Sequence, residues 1–194
     1  MALSLVTAPA AEPITLAEAK DHLRITGTDD DVYITRLIAA ARQHVDGSDG
    51  ILGRALITQT WDLFLPKFPA EIRVPLPPLQ SVTSIKYIDA GGITQTLAAS
   101  EYTVDVKRQP GRIVEAFGKS WPATRDVPNA VEVRFDAGYG LADSDVPEPI
   151  RHALLFFIAH LFERREPVVT GTTVAKIPDA ADALLASYRI HGFG

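Results

Sequence analysis

The stretch RALITQTWDLFL, residues 54–65, marks the point where the chain changes from helical to β-strand patterning. Alternate residues of a strand point to opposite faces. The more apolar face carries Ile57, Gln59, Trp61, Leu63 and Leu65. The stretch therefore predicts a strand at the start of a β region, with Trp61 on its apolar face.

Helical patterning precedes this stretch. Thr15 and Glu18 have the spacing of a capping box, which predicts a helix over 16–23. A second helix is predicted by apolar residues at intervals of three and four, namely Ile34, Leu37, Ile38, Ala41 and Val45. The run DGSDG at 46–50 is expected to end it.

Between 56 and 136 the chain has short β-branched and aromatic runs separated by turn residues, which is typical of strands. The predicted strands after the first are 82–88, 93–97, 102–106, 112–117 and 130–135. The run DAGG at 89–92 predicts a hairpin, because its glycines adopt positive φ without strain.

Helical patterning returns after Pro149, where one stripe carries Ile150, Ala153, Leu154, Phe157, Ile158 and Leu161. A short last helix is predicted over 179–188. The fold class is therefore α+β, with a small helical bundle formed by the N- and C-terminal segments and an inserted antiparallel β region. We expect one domain over 1–194, with a helical core at 14–50 and 147–190 and an insertion at about 55–136.

The composition excludes several classes of function. The chain has 194 residues and a formal net charge of −5, so it lacks the basic surface that tight nucleic-acid binding needs. It contains no cysteine, which excludes disulfides, thiolate metal sites and thiol nucleophiles. Its apolar runs are too short for a membrane span, so a soluble protein is expected.

No catalytic or metal-binding pattern stands out. None of the five histidines lies in a recognisable nucleophile motif. His152 and His160 lie too far apart on one predicted helix to share a metal, and His160 with Glu163 lacks a third ligand. We expect no catalytic residue, no cofactor and no metal.

Read in order, the segments resemble the head-tail connector proteins, or adaptors, of long-tailed bacteriophages and gene transfer agents. The resemblance runs almost from end to end, and the order of the segments carries it. They are PITLAEAKDHLR at 13–24, GRALITQTW at 53–61, LPPLQSV at 76–82, PGRI at 110–113, SWP at 120–122, VRFDAGYG at 133–140, VPEPIRHAL at 146–154 and AHLFERRE at 159–166.

This resemblance implies a structural virion component and no enzyme. Such a protein forms a homo-oligomeric ring, expected to be a dodecamer, beneath the portal protein at the head-tail junction. It carries the next, tail-proximal stopper or head-closure protein, and DNA passes through its lumen without sequence-specific binding. Assembly in the bacterial cytoplasm and no membrane contact are expected.

The resemblance also suggests interface residues. The C-terminal segment commonly contacts the portal, and the candidates there are Tyr188, Arg189, Ile190 and Phe193. Candidates for contact with a neighbouring subunit or tail ring are Arg54, Thr58, Thr60, Trp61 and Asp62.

Two other functions remain open on the sequence alone. One is a small hydrolase or glycan-binding module built on the β region. The other is a transient assembly chaperone that leaves the mature particle.

Overall fold

The structure is a computed structural model that describes residues 1–164 and 179–190. Its chain divides into two compact units. The first, which we call the sheet unit, comprises residues 1–10 and 58–139. The second, the helical unit, comprises residues 11–57 and 140–194, of which 165–178 and 191–194 lie outside the described residues. The expectation of a single domain over the whole chain stays a prediction.

The helical unit begins with helix α1, Leu16–Leu23. The predicted capping box is confirmed, since the Glu18 backbone N–H donates to Thr15 Oγ1 at 3.2 Å and the Thr15 N–H donates to the Glu18 carboxylate at 2.9 Å. Helix α2, Asp31–Val45, buries the predicted stripe. It ends as predicted, because Asp46 is extended and Gly47 has a φ of 83°.

The remaining helices are α3, Glu148–Glu163, and α4, Asp179–Leu185. Helix α3 starts with Pro149 in its first turn, where the missing N–H leaves no bond unmade. Its stripe is buried from Ile150 to Ile158, but the prediction that Leu161 completes the stripe is wrong, since Leu161 is 39% exposed. The last turn after α4, at Ala186–Tyr188, is a 3-10 helix.

The sheet unit contains an antiparallel sheet of five strands in the order β1-β2-β8-β4-β5. The strands are β1 Ala2–Thr7, β2 Gln59–Leu65, β4 Leu79–Ile88, β5 Thr94–Thr96 and β8 Val131–Ala137. Strand β8 is central and alternates strictly, with Val131, Val133, Phe135 and Ala137 buried. This is the pattern of a strand that packs one face on a core.

A second, three-stranded antiparallel sheet has the order β3-β7-β6. Its strands are β3 Ile72–Arg73, β6 Tyr102–Asp105 and β7 Arg112–Glu115. Ile72 lies opposite Ile113, and both are buried. The predicted hairpin between β4 and β5 is confirmed, and Gly92 in its turn has a φ of 88°.

The sequence interpretation missed strand β1. Strand β1 lies before the predicted insertion and pairs with β2 along its length, so the sheet includes an N-terminal strand in addition to the insertion, whose first strand is β2. Strand β2 itself starts at Gln59 rather than Leu56. Most of β1 is solvent-exposed.

Candidate assembly interfaces

Trp61 lies on the buried face of β2 and is 7% exposed. Its indole Nε1 donates a hydrogen bond to Gln59 Oε1 at 3.0 Å, two residues earlier on the same face. Phe135 of the central strand is its partner in the strand pairing. Trp61 is therefore a core residue of the sheet unit, as expected for a large aromatic side chain on the apolar face of a strand.

Asp62 lies on the opposite face of β2, and its carboxylate is paired with another residue of the same chain. Its carboxylate accepts two hydrogen bonds from Arg134, both at 2.8 Å, and the two residues are direct neighbours across β2 and β8. Two parallel hydrogen bonds from one guanidinium to one carboxylate form the strong type of arginine–carboxylate pair. Because Asp62 is 7% exposed, it offers little surface to another chain.

The two predicted threonines belong to a half-exposed polar row. Thr60 Oγ1 donates to Asp136 at 2.7 Å, and Gln80 donates to Thr58 Oγ1 at 2.9 Å. Asp136 also accepts from Ser81 at 2.8 Å. The row faces outward and remains accessible, so contact between these threonines and another chain stays a prediction.

Arg54 lies in the helical unit, apart from the strand residues with which it was grouped. It is 7% exposed, and its Nε donates to the backbone carbonyl of Tyr188, 134 residues away in sequence, at 2.5 Å. Close by, the Ile190 N–H donates to the Leu52 carbonyl at 3.0 Å. Arg54 thus helps to fix the segment that follows α4.

The predicted portal-contact residues are partly described. Tyr188, Arg189 and Ile190 are half-buried, and the Arg189 guanidinium pairs with Asp182 at 2.9 Å. Phe193 lies outside the described residues. Their contact with a portal stays a prediction.

Phe117 is a surface feature that sequence reasoning missed. It is fully exposed, at 105% of the reference area, at the tip of the turn after β7. The Lys119 N–H donates to the Ala116 carbonyl at 2.9 Å, and Gly118 has a φ of 73°, which together describe a type II turn.

Both sides of this turn are attached to Glu101. The Ala116 N–H donates to the Glu101 carbonyl at 3.0 Å, and Lys119 Nζ pairs with the Glu101 carboxylate at 2.9 Å. The aromatic ring of Phe117 is therefore presented on a fixed support. The sequence signal was an aromatic residue directly before a turn glycine.

A cluster of charged side chains surrounds Arg151 in the helical unit. The guanidinium pairs with Glu18, with Glu148 at 2.7 Å and with Asp143 at 3.8 Å, and it donates to the Pro13 carbonyl at 3.3 Å. Burial opposes ionisation of Glu18. Hydrogen bonds from Thr15 and the charge of Arg151 outweigh that effect and lower the Glu18 pKa.

Two histidines meet between α1 and α3. The rings of His22 and His152 have centroids 6.3 Å apart, and Phe156 lies 4.7 Å from His152. Burial lowers the pKa of His22, and the nearby His152 lowers it further. The pair is part of the packing between the two helices.

The described residues contain no group of three or more metal-ligating side chains. In the same ranges, no helix combines the length and the apolar character that crossing a bilayer requires.

The helical unit has an open cavity of about 360 Å³ whose lining includes Ile14, Leu16 and Ile38. Glu12 at this cavity pairs with Arg42 at 2.7 Å.

Comparison with known proteins gives a consistent result. Residues 13–88 match the family model of phage gp6-like head-tail connector proteins. The whole chain aligns with a chain from the neck of an empty gene transfer agent (GTA) particle computed with C6 symmetry. The TM-score is 0.78 at 26% identity, covering 100% of this chain and 98% of the other.

Two further solved structures are similar to the chain over the same shares, 100% of this chain and 98% of theirs. A chain from the virion of a native GTA particle gives a TM-score of 0.77 at 27% identity. A chain from the neck of a native GTA particle computed with C12 symmetry gives 0.70 at 27% identity. No curated protein sequence matches.

Proposed function

We propose that the chain is a head-tail connector protein, a structural component of a phage-like particle, and that it forms a ring between the portal and the tail. The observation that carries this proposal is the end-to-end similarity to the neck chain, at a TM-score of 0.78. The hydrolase, glycan-binding and chaperone alternatives are not favoured by these matches.

We propose the partners of the ring from the same similarity to neck proteins. On one side the ring contacts the portal protein, and on the other it carries a tail-proximal stopper or head-closure protein. Similar chains come from necks computed with C6 and C12 symmetry, which supports a ring of twelve copies. Such a ring needs two different complementary surfaces on each copy, because head-to-tail contacts close only by rotation.

The surface of the described residues suits a protein that acts through contacts. Apolar side chains are exposed at strand edges and at the Phe117 turn, where a partner can cover them. The formal charge of −5 supports a lumen that lets DNA pass without gripping its phosphates. We propose that the chain assembles in the bacterial cytoplasm and has no catalytic activity.

The test is co-sedimentation of the full chain with the portal protein of the same particle. The wild-type chain is expected to bind. Phe193→Ala is expected to weaken binding, because buried aromatic side chains dominate many interfaces. Leu141→Ala is the control, since it truncates an exposed apolar side chain of the same unit.

The outcomes distinguish the position of the portal contact from the connector function itself. Equal binding by wild type and Phe193→Ala would show that the portal contact lies elsewhere, while the ring role would stand. Absence of the chain from purified particles would overturn the connector function itself.

A further inference from the structure

The five-stranded sheet of the sheet unit has two uncovered edges. Strand β1 pairs only with β2, and β5 pairs only with β4, in the part of the chain that the structure describes. Neither Ala2–Thr7 nor Thr94–Thr96 contains a charged residue or a proline. Natural edge strands often carry such residues to prevent pairing with other chains. The edges here have a bulge between Leu5 and Thr7 in β1 and a β5 of three residues, which leaves Ala2–Leu5 and Thr94–Thr96 open to the addition of a short strand.

Exposed apolar side chains lie at both edges. On and beside β1 these are Met1, Leu5 and Val6, the last two being 45% and 43% exposed. Beside β5, Ile93 is 63% exposed. A partner strand at either edge would bury these side chains as well as satisfy backbone N–H and C=O groups.

The direction of the strands decides what kind of assembly these edges support. All four neighbouring pairs in the sheet are antiparallel. In a sheet of five strands, the two edge strands therefore run in the same direction. Placing β1 of one copy beside β5 of another gives a parallel pair and keeps both sheets in the same orientation.

Such a contact is heterologous, because it joins two different surfaces of the chain. The rotation that relates the first copy to the second can therefore be repeated to add a third copy and every later one. This is the type of contact from which cyclic rings are built. Pairing β1 with β1 of a second copy would instead follow a two-fold axis and stop at a dimer. Two different uncovered edges on one sheet thus match the requirement of a ring.

We propose that neighbouring copies of this chain join β1 of one to β5 of the next, so that the sheets continue around the ring. The inference rests on the proposed connector function and adds the contact between its copies. Because β5 has only three residues, a single pairing supplies few backbone hydrogen bonds. The contact is expected to form where the particle already holds the copies side by side.

Thiol cross-linking tests this arrangement directly, since the natural chain contains no cysteine to give a background. Particles are assembled from a mixture of two full-length chains, one carrying Ser4→Cys and the other Thr96→Cys, and treated with a short bifunctional thiol reagent. The expected product is a dimer that contains one chain of each kind. A chain carrying both substitutions is expected to give a series of linked species up to the full ring.

The control pairs Ser4→Cys with Ser100→Cys, which is also exposed in the sheet unit but lies outside the five-stranded sheet. This pair is expected to give no specific dimer. Dimers from Ser4→Cys alone would indicate two-fold pairing of β1 and would overturn the proposal. Particles that contain the chain at ring stoichiometry, yet give no product from Ser4→Cys with Thr96→Cys or Thr94→Cys, would overturn it too.

A second variant tests the edge without cysteines. Leu5→Lys places a charge on the edge strand, as natural edges do. In competition with wild type, its incorporation into particles should fall about tenfold, which corresponds to ~1.4 kcal/mol. The control is Val32→Lys on α2, which puts the same charge on a side chain 68% exposed in the helical unit.

Both Lys variants should unfold at the wild-type temperature, which shows that folding is intact. Equal incorporation of Leu5→Lys and wild type would contradict the edge contact. Loss of the wild-type chain itself from particles would instead contradict the connector function, so the two failures are distinguishable.

Discussion

The helical unit uses arginine side chains to connect segments that are distant in sequence, whereas the sheet unit is built by strand pairing and leaves two strand edges unpaired among the described residues. Arg42, Arg54 and Arg151 each bind carboxylates or a backbone carbonyl of the helical unit. Exposed apolar side chains occur in both units, Val32 and Leu141 in the helical unit and Leu5 and Phe117 in the sheet unit, but Leu5 in addition lies on an unpaired strand edge. Buried and paired charges hold a unit together, while exposed apolar groups are available to partners.

This difference separates residues that matter for folding from residues that matter for assembly. Substitutions at Trp61 and Arg151 should act on stability. Those at Phe117 should act on association alone. We make four predictions on this basis, in order of decreasing effect on stability.

Trp61→Ala should have the largest effect. Removing a buried indole leaves a cavity and removes the hydrogen bond that Gln59 Oε1 accepts from it, and the expected loss in the free energy of unfolding is about 3–5 kcal/mol. Chemical denaturation of the purified chain measures it. A loss below about 1 kcal/mol would mean that the side chain is less confined than its 7% exposure indicates.

Arg151→Ala should cost less, about 2–3 kcal/mol, because hydrogen bonds to charged groups are lost and Glu18 is left without its cation. Arg36→Ala, at an exposed position on α2, is the matched control and should change little. The same denaturation experiment compares them. Equal stability of the two variants would show that the helical unit does not depend on its internal ion pairs.

Acidification should destabilise the helical unit by a smaller amount. The folded-state pKa of His22 lies below its ordinary value of 6.5, so the unfolded chain binds the proton more readily. This contribution to stability is present in full above pH 6.5. It is lost as the pH falls from there through the lowered pKa.

Thermal unfolding of wild type and His22→Gln between pH 5 and pH 8 measures this contribution. The fall in wild-type stability below pH 6.5 should be shallower in the variant, which has no imidazole to protonate. Identical slopes would assign the acid sensitivity to other groups.

Phe117→Ala should have the smallest effect on stability, within about 0.5 kcal/mol, because the ring contacts solvent. Its effect should appear in association. If the ring is an interface anchor worth about 2 kcal/mol, incorporation into particles in competition with wild type falls roughly 30-fold. Unchanged incorporation would exclude Phe117 from any interface of the particle.

Local patterns in the sequence predicted most of the helical elements. The capping box at Thr15 and Glu18 and the stripe of α2 depend on residues three and four positions apart, and both are confirmed. The β4–β5 hairpin is also confirmed. It too depends on a local pattern, because its turn residues lie between the two strands in sequence. The α+β class follows from the order of these elements.

Long-range contacts account for what the sequence did not show. The contact of Arg54 with a neighbouring subunit stays a prediction, but its hydrogen bond to the Tyr188 carbonyl was not foreseen, because no local pattern connects the two residues. The pairing of Asp62 with Arg134 was not foreseen either, because Arg134 comes from a strand that is distant in sequence, and a contact of Asp62 with another chain stays a prediction. Strand β1 was missed because it is short and its pairing with β2 joins residues that are far apart in sequence, which no local pattern shows.

The central position of β8 has a consequence for synthesis and folding. Of the strands in the larger sheet, β8 is the last to leave the ribosome, yet both β2 and β4 pair with it. The nascent sheet therefore cannot grow strand by strand from its N-terminal end. Until Val131–Ala137 has emerged, β2 lacks its inner neighbour, and the β4–β5 hairpin has nothing to join it to β1 and β2. Folding of this unit is thus a late, non-local event, of the kind that proceeds slowly and exposes unpaired strands on the way.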